Sequence, residues 1–396
     1  MTSIVGFDHV THTRLIYGID VVDQTGELAK AYTSSGRILL VTDPGIRSAG
    51  HADRVVASLE AAGLKPTIFD AVKENPTTVE VDHCVEAAKS ADIDMIIGLG
   101  GGSSMDTAKG CNFIFTNGGH MQDYWGVDKA TQPMLPLIAI PTTAGTGSEC
   151  QSFALISDAD THAKMACGDK KAAAKVAILD PSITLTQPFS VTAHTGIDAI
   201  THALETTVTK KRNEYSLLFA KEAFKLCATS LPRIFDEPDN IEARSQMLLG
   251  AAYAGTAIEN SMLGAAHATA NPLTANFDLI HGLAVGLMMP TVIRFNAQDP
   301  AIKRAYRDLV VFAGLCSSER SDDEAVDQLI LHLDSILEKA KYPSSLADAN
   351  VDEAKIPTLA EQAATQWTGT FNPIEVNAAS LEGLYRSAYG SRANCA

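Results

Sequence analysis

Between residues 37 and 180 the chain carries five strand-length apolar runs, RILLVTD, PTIFDAV, DMIIGLG, LPLIAIP and KVAILDP, bounded by Gly, Pro or Asp. The segments between the first three, HADRVVASLEAAG and TTVEVDHCVEAAKSA, repeat their apolar residues at intervals of three and four, the spacing of a helix that buries one face. Strand, amphipathic helix and strand in alternation predict a mostly parallel sheet covered by helices. After about Pro188 the pattern changes to long helical stretches such as SLLFAKEAFKLCATSL and DDEAVDQLILHLDSILEKA, with no alternating strand signal. The expected organisation is an α/β domain over residues 1–188 followed by an all-helical domain over 189–396. No Gly/Ser-rich linker marks the join, and no internal repeat is evident.

Charge narrows the partners. With 31 basic and 47 acidic residues the formal net charge is −16, so nucleic acid and anionic membrane surfaces, which attract cationic patches, are not expected partners; a small molecule is. No apolar run reaches the roughly 20 residues of a membrane span, and GLAVGLMMPTVI reads as a buried helix. Seven cysteines, odd in number, widely spaced and without a CxxC, argue against a disulfide framework or a thiolate zinc site, and fit a reducing cytoplasm.

Two loops offer ligand chemistry at strand ends. GLGGGSSMDTAK (98–109) follows DMII and opens a helix; Gly100, Gly101 and Gly102 allow close backbone approach, and the N–H groups at the helix start suit a pyrophosphate. Ser103 and Asp106 have the spacing of a capping box for that helix. The competing reading is a Gly-rich turn that binds nothing. IPTTAGTGSE (140–149) adds the hydroxyls of Thr142, Thr143, Thr146 and Ser148, suited to ribose or phosphate. Asp43, at the end of LLVTDPG, either accepts hydrogen bonds from an adenosine ribose and repels a 2′-phosphate, or caps the following helix.

The second half carries a candidate metal set. HTGIDAITHALE (194–205) puts Asp198 and His202 four apart on one helix face, with His194 a turn earlier. In AAHATANPLTANFDLIHG (265–282), His267 and His281 sit in a weakly charged stretch where a buried imidazole needs a partner. Pro272 is expected to break or kink the helix bearing His267, with a new helix starting near His281, so the two histidines converge from different elements. One Asp and three His form a set for Fe(II) or Zn(II) with at least one open position.

These residues resemble the iron-dependent alcohol dehydrogenases along nearly the whole chain. TRLIYGID, ENPT, GGGSSMDTAK, PTTAGTGSE, DPSITLT, TGIDAITHALE and LIHGLAVGLMMP match that family's motifs in order. The resemblance implies an N-terminal domain that binds NAD(P) and a helical domain in which Asp198, His202, His267 and His281 hold a divalent ion. It also implies that Asp43 favours NAD over NADP, that Asn75, Gly102, Ser103, Thr142, Thr143, Ser148 and Lys164 line the cofactor, and that the chain forms a dimer or larger homo-oligomer. Two positions depart from the pattern: Asn271 stands where many members have a histidine credited with proton relay, and Ile374 where an arginine is frequent. Asn271 does not titrate near neutral pH, so its expected role is to orient substrate or water.

The function expected from this reading is a metal-dependent, NAD(H)-linked oxidoreductase that interconverts an alcohol and its aldehyde or ketone by hydride transfer, with the ion as Lewis acid. Competing readings on the same fold are a hydroxyacid-oxoacid transhydrogenase, a polyol or phosphate-polyol dehydrogenase, a dehydroquinate synthase, and a catalytically silent dinucleotide-binding protein. The helical region shows no Lys/Arg cluster around the ligand positions to hold a substrate phosphate.

Overall fold

The structure is a computed structural model that describes residues 6–390. The chain divides into two compact units, His9–Gln187 and the chain from Pro188 onward. The segment 6–8 ahead of His9, expected with the sheet domain, groups with the helical unit. Its Phe7 ring lies 5.8 Å from that of Tyr215.

The first unit contains, in order, β1 (Arg14–Tyr17), α1 (Thr25–Lys30), β2 (Arg37–Val41), α2 (Pro44–Ser48), α3 (His51–Ala61), β3 (Lys65–Phe69), α4 (Thr78–Ala91), β4 (Met95–Gly100) and α5 (Gly102–Asn117). It continues through β5 (Gly126–Val127), β6 (Leu137–Pro141), β7 (Phe153–Ser157), β8 (Lys164–Gly168) and β9 (Val176–Leu179). Six strands form a wholly parallel sheet in the order β1-β9-β6-β4-β2-β3, which contains all five runs picked out in the sequence. A second sheet, β5-β8-β7, pairs β7 and β8 antiparallel.

The central strands are apolar throughout because both faces are covered. Leu39, Val41, Ile96, Leu137 and Ala139 pack with Val81, Cys84 and Val85 of α4 and Ala108 and Cys111 of α5. Their neighbours Ile38, Leu40, Ile97 and Ile138 pack instead with Ala29 of α1 and Ala52, Val55 and Leu59 of α3. The period-2 alternation thus feeds two cores, one on each side of the sheet. A capping box starts α4, where the Thr77 hydroxyl accepts from Val79 N at 3.2 Å and Glu80 accepts from Thr77 N at 3.0 Å.

From Pro188 onward the described residues contain helices and turns but no strand. They are α6 (Phe189–Val208), α7 (Glu214–Asp236), α8 (Ile241–Ser261), α9 (Ala265–Phe277), α10 (His281–Asn296), α11 (Pro300–Phe312), α12 (Asp322–Lys339), α13 (Ile356–Ala364) and α14 (Ala378–Tyr389). The expected break at Pro272 does not occur: α9 runs through it to Phe277, and Asp278 then takes a left-handed conformation (φ 53°). Bonds from outside hold the helix together. Tyr385 donates to the Thr269 carbonyl at 2.6 Å, and Asn276, which also back-bonds to Pro272 O, donates to Gln362 on α13 at 2.7 Å. The next helix does start at His281. No helix among the described residues is long and apolar enough to cross a membrane.

Candidate active site

In the helical unit, one carboxylate oxygen gathers three imidazoles. Asp198 Oδ1 lies 3.3 Å from Nε2 of His202, 3.4 Å from Nε2 of His267 and 3.9 Å from Nε2 of His281. The four-residue spacing on α6 brings Asp198 and His202 to one face. His267, in the first turn of α9, stacks its ring on His202 with centroids 4.8 Å apart, and His281 opens α10. Asp198, His267 and His281 each offer a ligand atom within 4.8 Å of the others, and His202 joins them through Asp198. The His194 side chain takes a different partner, Tyr342, whose hydroxyl is 2.5 Å from Nδ1.

This arrangement fits a cation. Asp198 Oδ1 and His267 Nε2 are buried and lie outside hydrogen-bond geometry with any protein group, a costly state for two polar atoms unless something else engages them. Burial alone would raise the Asp198 carboxyl, but the facing histidines hold it well below the usual carboxylate range. Burial likewise depresses His267, and the negative charges of Glu205 and Asp198 overcome that effect and push its pKa up to about 9. The potential at the cluster is therefore set to retain positive charge. His281 remains 25% exposed whereas Asp198 is 7% exposed, so the cluster is reachable from the His281 side.

Glu205 was not anticipated from the sequence. It follows His202 by three residues, and its Oε2 lies 2.6 Å from His267 Nδ1. The available signal was a lone carboxylate, one turn after a ligand, in the otherwise uncharged stretch ITHALETTV. Asn271, one turn after His267, donates from Nδ2 to Gln366 Oε1 at 2.9 Å, so its amide is fixed by a second amide. Ser261, at the end of α8, is buried and donates to its own helix at Ala257 O. Asn260 likewise back-bonds to Thr256 O.

In the first unit, the carboxyl ends of three adjacent strands, β2, β4 and β6, carry Asp43, Gly101 to Ser103, and Thr142 to Ser148. This is where open parallel sheets bind ligands. Gly101 is the N-cap of α5 and makes no side-chain cap bond, leaving the first N–H groups of the helix for an anion. Side chains are excluded here: a β-carbon at Gly100 (φ +146°) would stand 2.4 Å from Ser104 Oγ, and one at Gly102 2.8 Å from Thr146 Cγ2. The hydroxyls of Thr42 and Thr142 are buried with no hydrogen-bond partner, as expected where a polar ligand completes a site.

Asp43 performs the capping role directly: Oδ1 accepts from Gly45 N at 2.9 Å and Ile46 N at 3.0 Å, while Oδ2 lies 3.5 Å from Ser104 Oγ beside the glycine loop. The capping box expected from Ser103 and Asp106 is absent, because both lie inside α5 rather than at its start. Ser103 Oγ instead accepts from Asn75 N at 3.2 Å, with Asn75 in a left-handed conformation (φ 51°).

Asp106 is buried and accepts from Ser148 Oγ at 2.9 Å. Buried Lys109 donates to Ser148 O at 2.6 Å, Ser148 Oγ at 2.8 Å and Phe153 O at 3.0 Å, tying the two loops together. The Ser148 hydroxyl therefore points inward. A β-carbon on Gly101 would meet Thr143 Cγ2 at 3.4 Å, and the Thr146 hydroxyl accepts from Ser148 N at 3.3 Å. Lys164 opens β8, and its charge reaches Asp106. Glu149, also buried, has its pKa pushed by burial up to about 7, against the pull of its own backbone N–H and of Lys109.

The sequence profile described as iron-containing alcohol dehydrogenase matches residues 12–181, and that described as Fe-containing alcohol dehydrogenase family, C-terminal, matches residues 192–389. Alcohol dehydrogenase 4 of Schizosaccharomyces pombe is 35% identical over 364 residues, covering 91% of this chain and 85% of its own. The NAD-dependent methanol dehydrogenase of Bacillus methanolicus is 32% identical over 373 residues, covering 94% and 97%. Among solved structures, a 1,3-propanediol oxidoreductase superposes with a TM-score of 0.92 at 29% identity, over 97% of this chain and 100% of its own.

Proposed function

The chain belongs to the iron-containing alcohol dehydrogenase family and is an NAD-linked alcohol dehydrogenase, and from that premise we propose that Asp198, His202, His267 and His281 hold its divalent ion. The observation that carries this reading is the convergence of three Nε2 atoms within 3.9 Å of Asp198 Oδ1. Three imidazoles and one carboxylate suit Fe(II), with Zn(II) the competing ion. A bound ion supplies a Lewis acid that polarises the alcohol or carbonyl oxygen, and NAD supplies the hydride acceptor.

The residues around the two groups bind and orient. The N–H groups of Gly102 and Ser103 at the start of α5 receive the dinucleotide's pyrophosphate. The second oxygen of Asp43, which also accepts from Ser104 Oγ at 3.5 Å, faces the adenosine ribose and disfavours a 2′-phosphate, so NAD is preferred over NADP. Thr142 and Thr143 add hydrogen bonds from the loop after β6, with Thr146 and the inward-turned Ser148 shaping it, Asn75 bracing Ser103, and Lys164 contributing positive charge.

Asn271, held by Gln366, orients substrate or water without exchanging a proton. The alcohols in the names of the relatives above, methanol and 1,3-propanediol, are small and primary. A small primary alcohol is accordingly the proposed substrate, with the Asn271–Gln366 amides able to hydrogen-bond a second polar group on it.

Six free cysteines among the described residues support a reducing, cytoplasmic setting; Cys395 lies outside those residues. Assembly into a homo-oligomer follows from the family resemblance and is checked by light scattering. The test of the whole reading is metal analysis coupled to NADH oxidation over a panel of aldehydes, with Fe(II) or Zn(II) added. NADH binding without turnover of any aldehyde would favour the silent reading.

A further inference from the structure

We propose that Glu205 is the positioning residue of the metal centre, a single buried carboxylate that locks the helix carrying His267 to the helix carrying Asp198 and His202. The inference rests on the ligand set given above and concerns a residue outside it. Glu205 lies on α6 one turn after His202, and its side chain is 3% exposed. Both of its oxygens are used on α9. Oε1 accepts from Ala266 N at 2.7 Å, satisfying one of the N–H groups that the first turn of a helix leaves without an internal partner. Oε2 lies 2.6 Å from His267 Nδ1.

A carboxylate that accepts from Nδ1–H fixes the imidazole in the tautomer whose Nε2 carries the lone pair, and that nitrogen is the one facing Asp198. The same bond sets the ring plane, since a 2.6 Å contact at one end of the imidazole leaves little freedom at the other. Approach of the carboxylate is possible because the residue before α9 is glycine. A β-carbon on Gly264 would stand 3.0 Å from Glu205 Oε1 and 3.0 Å from Asn372 Oδ1. Asn372 anchors the same turn independently: its Oδ1 accepts from Ala265 N at 3.2 Å, and it exchanges amide bonds with Asn296 on α10. Asn372 thus holds the start of α9 through the backbone, whereas Glu205 holds both that backbone and Nδ1 of the His267 ring.

The experiment is a Co(II) titration of the full chain after chelator treatment, read by the visible absorption of the bound ion, for wild type, Glu205→Gln, Asn372→Ala and His267→Ala. Loss of the outer-sphere carboxylate is expected to weaken Co(II) binding about 10- to 100-fold and to shift the spectrum, while Asn372→Ala lowers thermal stability and leaves affinity within about threefold. Wild-type affinity and spectrum in Glu205→Gln would overturn the proposal. So would equal weakening in Glu205→Gln and Asn372→Ala, which would reduce Glu205 to a helix anchor. Should Glu205→Gln not fold, Glu205→Asp, which keeps the charge on a shorter arm, is read by the same criteria. His267→Ala separates the two levels: unchanged Co(II) binding there removes the ligand set itself, whereas its loss alongside an unaffected Glu205→Gln removes only the role of Glu205.

Discussion

A β-carbon on Gly282 would stand 2.0 Å from the carbonyl oxygen of His194, so α10 meets α6 at a distance only glycine allows. That approach brings His281, the residue before Gly282, to within 3.9 Å of Asp198. The atoms in the way are backbone and cannot rotate aside. Gly282→Ala is therefore expected to cost about 1–3 kcal/mol, the usual range for overpacking, and to weaken metal binding by separating His281 from the cluster. Thermal unfolding and metal content check this; unchanged values for both would mean that α10 relaxes without moving His281.

Asp43 caps α2, and one substitution can separate that role from the recognition of the adenosine ribose proposed for it. Serine caps a helix about as well as aspartate, so Asp43→Ser should keep stability within about 0.5 kcal/mol. Removing the charge should raise kcat/KM for NADPH relative to NADH about tenfold, equivalent to roughly 1.4 kcal/mol of like-charge repulsion. A stable variant with an unchanged cofactor ratio would leave Asp43 as a cap alone.

Glu149 gives the first unit a pH dependence of known sign. Its folded-state pKa, about 7, lies above the value of 4.5 for a free carboxyl. The folded chain thus retains a proton that the unfolded chain releases, and stability is full below pH 4.5 and falls as pH rises through that window, by on the order of 3 kcal/mol in all. Glu149→Gln should match the wild type near pH 5 and exceed it at pH 8 in thermal unfolding without NAD. A stability difference that does not change with pH would contradict the assignment.

Asn271→His places a titratable ring beside Gln366, one turn after His267. The variant should retain its metal and gain a dependence of kcat/KM on a group near pH 6.5. Loss of metal, or an unaltered pH profile, would show that position 271 does not face the reaction.

Much of this was legible in the sequence because the signals are local. Strand runs and glycine loops announce themselves within ten residues, and the i, i+4 spacing of Asp198 and His202 fixes their shared face. What the sequence did not reveal depends on distant partners. Glu205 acquires its role only when α9 arrives 61 residues later to present Ala266 N. Ser103 lies inside α5 because the chain already turns helical at Gly102, so its hydroxyl accepts from Asn75 N while Asp106 engages Ser148. Pro272 lacks the N–H that a helix interior uses, yet bonds from Tyr385 and to Gln362 hold α9 on both sides of it, so tertiary contacts override the local preference.

One ion held by four side chains from three helices, as proposed above, requires each of the four. Metal content should be measured on the wild type and on Asp198→Ala, His202→Ala, His267→Ala and His281→Ala, with circular dichroism to confirm folding. One Fe(II) or Zn(II) per chain is expected in the wild type, and a large loss in all four variants. His202 is the decisive position, since its link to the cluster runs through Asp198. A folded His202→Ala that keeps a full equivalent of metal at wild-type affinity would contradict the four-ligand centre.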